Sequence, residues 1–100
     1  MFLILLEYKQ PLDVIDRYVV AHREHLGRQY AAGRLLISGP QMPRTGGLLI
    51  AHGDTRADIE TMMQSDPFTT ADLIDYRIVE FRVTAAQRGL GYALAALGCG

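Results

Sequence analysis

Two histidines three residues apart, His22 and His25, are the side chains of this sequence best suited to moving a proton near neutral pH. A carboxylate bonded to one imidazole nitrogen fixes the tautomer, steadies the imidazolium and leaves the other nitrogen to take or give a proton. Asp66, which precedes Pro67 at the end of a predicted helix, is the candidate for that second role. With Ile15 at the centre of a helical face at 100° per residue, Val19, His22, Leu26 and Tyr30 share its side, so His22 falls within an apolar stripe. His25 falls toward the edge of the stripe, beside Val14 and Tyr18, where water has easier access. Plainer readings exist for each. A histidine in such a stripe is often a core residue bonded to backbone, and Asp-Pro pairs are common turn formers.

Ser38, at the end of an apolar run and just before Gly39-Pro40, has a hydroxyl that could bond a ligand, although a serine in a turn needs no such role. No metal is expected. His22 and His25 supply only an i, i+3 pair, the motif H-E-x-x-H is absent, and the lone cysteine, Cys99, makes no cluster and no intrachain disulfide.

These residues must be placed by a small fold. The chain has 100 residues, enough for one core, with 49% hydrophobic and 21% charged residues, which suits an ordinary globular domain. A net charge of -1 and the lack of a basic stripe interleaved with aromatics argue against nucleic acid as a partner. The opening MFLILLEYK has no basic n-region and too few apolar residues for a signal peptide or a membrane span, so a reducing, cytoplasmic setting is expected.

Phe2 to Leu6 reads as a strand, ended by Gln10 and Pro11. One helix is expected over Leu12–Ala32, with Pro11 near its start and Gly33 as its stop. Arg34–Ser38 and Leu48–Ala51 read as antiparallel neighbours, joined through a loop crowded with glycine and proline. Asp54 or Thr55 can cap a second helix that ends near Ser65, because the residue before Pro67 is pushed out of the helical region. Leu73–Val83 alternates like a strand with one wet face.

This order is the α+β plan of the ferredoxin-like βαββαβ sandwich, a four-stranded antiparallel sheet with two helices on one face. The other face is left apolar, which predicts a homodimer in which two such faces meet, as in dimeric α/β barrels. The domain is expected to span residues 1–83. Residues 84–100 form a small-residue-rich extension, expected as a further helix or an arm on a neighbouring subunit, or as a disordered end.

Three motifs in order, His22 on the first helix, Gly33-Arg34-Leu35-Leu36-Ile37-Ser38-Gly39-Pro40, and Asp66-Pro67-Phe68, resemble the pattern of the YciI-like, or YCII-related, family of small dimeric α/β barrel proteins. The resemblance covers most of residues 2–83. It implies a catalytic His and Asp pair between helix and sheet, here His22 and Asp66, with His25 the competing histidine. Two positions depart from the family pattern. An arginine common three residues before the histidine is Val19 here, with Arg17 or Arg23 as a replacement, and a glycine common after D-P-[FY] is Asp72.

The family includes a dehydrochlorinase of chlorinated hydroxyquinols. The expectation is therefore a cofactor-independent enzyme in which His22 and Asp66 serve proton abstraction, with elimination or isomerisation of a small hydroxylated cyclic or aromatic compound. Ser38, His25 and Arg23 are the candidate substrate contacts. The alternatives are a domain that holds a metabolite without turning it over, and a structural dimer.

Overall fold

Strands β1 (Phe2–Tyr8), β2 (Leu35–Pro40), β3 (Gly46–Ala51) and β4 (Ile74–Glu80) form one antiparallel sheet in the computed structural model, which describes residues 1–53 and 55–97. Their spatial order is β2-β3-β1-β4. With the intervening helices this gives the expected α+β arrangement of βαββαβ type. The apolar N-terminal run takes a central position, where neighbours on both edges satisfy its backbone: Ile4 faces Leu49 on one side and Ile78 on the other. Alternation then divides the sheet into two faces. Phe2, Ile4, Leu6, Leu49, Ala51, Ile74 and Ile78 are buried against helical residues Ile15, Leu26, Ile59, Met63 and Phe68.

The expected Leu12–Ala32 helix is two helices. Helix α1 (Leu12–Asp16) ends in a turn at Arg17 and Tyr18, and α2 (Val19–Ala31) begins after it. The Arg17 and Tyr18 amides reach back only three residues, to the Val14 and Ile15 carbonyls, which tightens the chain out of α geometry. Tyr18, Val19 and Val20 are aromatic or β-branched and resist the break only weakly. The break shifts the phase of the stripe. His25 and Leu26 become the buried residues of α2, while His22 lies at the margin and Tyr30 is exposed.

Helix α3 (Arg56–Gln64) starts at Thr55, whose hydroxyl accepts a hydrogen bond from the Asp58 amide at 3.2 Å, as a capping residue does. The alternative cap, Asp54, lies outside the described residues. A short helix, α4 (Pro67–Thr70), follows. Asp72 has φ 55°, a left-handed conformation that aspartate tolerates better than most residues. Its carboxylate pairs with Lys9. Strand β4 stops at Glu80 rather than Val83, because Glu80 pairs with Phe2 and only the Met1 carbonyl remains for the Phe81 amide.

The loop between β2 and β3 lies close against β1. Gly46 pairs with Glu7, and a Cβ built on Gly46 would stand 1.8 Å from the Leu6 carbonyl oxygen. The Gln41 side chain donates to that same oxygen at 3.1 Å, and the Tyr8 amide bonds the Thr45 carbonyl at 2.9 Å. On the opposite face of the sheet Leu3, Leu5, Leu48, Ile50 and Val79 are only half-buried. Helix α5 (Arg88–Ala96) buries Leu94, and its Leu90, with Leu97 just beyond, borders an apolar groove of about 590 Å³ shared with Ile37, Ile50 and Phe81. Cys99 lies outside the described residues.

Candidate functional site

The Asp66-Pro67-Phe68 corner is set by local chemistry. A residue before proline takes an extended conformation, and Asp66 has φ -65° and ψ 130°. Proline suits the first position of α4, and the Asp66 carboxylate accepts from the Phe68 amide at 2.9 Å, capping the helix. Asp66 is fully buried, so its carboxylate depends on the hydrogen bonds it accepts. The other donor comes from α2. Nδ1 of His22 lies 2.9 Å from both Asp66 carboxylate oxygens.

Phe68 fixes the imidazole in the remaining direction. Its ring stacks on that of His22, with centroids 3.9 Å apart and planes 9° from parallel, and Tyr8 meets the same phenyl ring edge-on at 6.2 Å. With Nδ1–H given to the carboxylate, Nε2 of the neutral ring is an acceptor. No described residue bonds Nε2. The imidazole lines a cleft of about 370 Å³ between α2 and the sheet, large enough for a single-ring compound. Apolar walls come from Leu6, Val19, Leu26, Leu49 and Phe68.

A family model for the YCII-related domain matches residues 1–82. The chain belongs to the YCII-related family. No curated protein matches this YCII-related chain at the sequence level. Among solved structures it is similar to the 5-chloro-2-hydroxyhydroquinone dehydrochlorinase of Burkholderia phenoliruptrix, determined in complex with 2,5-dihydroxybenzoquinone. The two share 21% identity and a TM-score of 0.69, over 82% of this chain and 94% of that one.

The candidate contacts of this YCII-related chain separate in space. Ser38 lines the cleft, and its hydroxyl lies 2.6 Å from that of Tyr30, which holds it from the helix side. Arg23 lines the cleft as well. His25 does not. It is 3% exposed, and its Nε2–H donates to the Met62 carbonyl at 2.9 Å, so the expected ligand contact gives way to a structural role tying α2 to α3. The core histidine foreseen on the apolar stripe is thus His25, displaced there by the break after Asp16. His25→Ala should cost about 2 kcal/mol, because it strands a buried carbonyl and leaves a void. Denaturant unfolding checks the cost, and the activity of the folded fraction should not change.

Among the charged and aromatic lining residues, sequence reasoning passed over Tyr8, Asp16 and Arg44. The alternation of β1 carries a signal for Tyr8, which shares its face with Leu6. Arg44 sits in the glycine- and proline-rich loop, where periodicity says nothing about direction. Its Nη2 donates to Asp16 at 2.6 Å, and its guanidinium lies 5.9 Å from the Tyr8 ring centre. Asp16 first and Tyr8 second push the Arg44 pKa above the ordinary arginine value, so the cation persists at every working pH. Among the described residues no cluster of histidine, cysteine and carboxylate groups has the makings of a metal site. No described helix is long and apolar enough to cross a membrane.

Proposed function

We propose that this protein is a cofactor-independent lyase that removes a proton and a leaving group from a small hydroxylated aromatic ring, with His22 as general base and acid and Asp66 as its orienting partner. The observation that carries this reading is the bond from His22 Nδ1 to the buried Asp66 carboxylate, beside a cleft of single-ring size. The dehydrochlorinase of similar fold supplies the reaction type. In a halogenated hydroxyquinol, tautomerisation makes the halogen-bearing ring carbon tetrahedral. Nε2 then takes a hydroxyl proton, the O–H electron pair forms a carbonyl, and the ring electrons expel halide. One molecule of hydrogen halide is lost overall, so no external oxidant is required. The imidazolium so formed is stabilised by Asp66 and returns its proton to water. Isomerisation of a related ring by the same proton transfer is the variant without a leaving group.

The half-buried apolar face of Leu3, Leu5, Leu48, Ile50 and Val79 supports a homodimer in which a second copy covers it. The test of function is direct. Incubation with 5-chloro-2-hydroxyhydroquinone without added metal or cofactor should release chloride at a rate proportional to protein concentration. Binding of the quinone product without any chloride release would leave a metabolite-binding domain instead.

A further inference from the structure

We infer that Arg44 receives a negatively charged oxygen of the ligand, so that the cleft selects small rings ionised at neutral pH over neutral rings of the same size. The inference deepens the lyase reading and rests on it for the location of the ligand. Arg44, Tyr8, Phe68 and His22 form a continuous row of contacts along the cleft. The guanidinium is at one end, over Tyr8, and the imidazole is at the other, stacked on Phe68. His22 and Arg44 line the same cleft, and the proposal turns one ring oxygen of the ligand toward each.

Asp16 engages one Arg44 nitrogen, and a guanidinium has five N–H donors arranged to grip two oxygens at once. Its partner is easily exchanged. The Arg44 and Asp16 side chains are 38% and 55% exposed, and a salt bridge so open to water is held weakly. Asp16 therefore keeps the guanidinium oriented at the cleft while it is empty and competes with an incoming anion. A ring that displaces water beside the guanidinium strengthens the attraction. A neutral phenol gains little there. An acidic hydroxyquinone or ionised hydroxyquinol gains a charge-assisted pair.

Calorimetric titration with two probes tests this: 2,5-dihydroxybenzoquinone, an anion at neutral pH, and hydroquinone, a neutral ring of similar size. The native protein should bind the anion at least about 10-fold more tightly than the neutral ring. Arg44→Gln should abolish that preference with little effect on hydroquinone, and Asp16→Asn should increase it several-fold. Equal affinity of the native protein for the two probes, failure to bind the anion, or an unchanged preference in Arg44→Gln would overturn the assignment. The readout is independent of turnover. Chloride release with no role for Arg44 removes this inference and leaves the lyase, while anion selectivity lost in Arg44→Gln without chloride release does the reverse.

Discussion

Replacement of His22 by alanine is expected to lower the rate of halide release by about 10²- to 10⁴-fold, the usual contribution of a well-placed general base. On the proposed mechanism the effect should fall on kcat more than on KM, because Nε2 would act on the proton in flight while the walls around Leu6, Leu49 and Phe68 would hold the ring. The variant should fold at some cost in stability, because the buried Asp66 carboxylate keeps the Phe68 amide but loses the His22 donor. His22 lies at the margin of the core, with its side chain 14% exposed, so its loss opens a site that water can fill. Thermal unfolding alongside single-turnover kinetics separates the two effects. A folded variant with native rate would end the case for proton abstraction by this imidazole.

Asp66→Ala is expected to lower stability by about 3 kcal/mol, or roughly 15 °C in a domain of this size. It deletes the cap of α4, strands the buried Phe68 amide and takes the acceptor from the part-buried His22 Nδ1–H. Asp66→Asn separates folding from chemistry. The amide oxygen can still accept from Phe68 and stays within reach of Nδ1, but the NH₂ beside it sets a donor against Nδ1–H. The tautomer is then no longer fixed, and the charge that would steady an imidazolium is gone. Most of the stability should return with asparagine and little of the activity. Chemical denaturation and halide release measured on both variants give the four numbers required. A fully active asparagine variant would show that the carboxylate serves the fold alone.

Much of this architecture could be read from residue pattern because local and global preferences agree. The run Phe2–Leu6 is apolar on both faces and sits mid-sheet, Thr55 caps α3, and Pro67 forces the corner that delivers Asp66. The pairing of His22 with Asp66 could not be read from spacing and is an expectation of the resemblance, since their meeting depends on how α2 and α4 lie across the sheet. The misplaced histidine has its origin in the helix. A helical wheel assumes an unbroken helix, and the turn at Arg17 and Tyr18 resets the angle, exchanging the burial of His22 and His25. Arg44 escaped notice because its direction is set by tertiary contacts of a loop, through Thr45 on Tyr8 and Gln41 on Leu6, rather than by any repeat.

The bare backbone at Gly46 governs how far that loop can settle. With hydrogen in place of a methyl group, residues 41–45 nestle onto β1, and the arginine two positions upstream arrives at the rim of the chamber. Any larger residue would prop the loop away from its seat and carry the guanidinium with it. The molecule's reach toward a charged guest is therefore decided by an atom it lacks, at a position with no chemistry of its own.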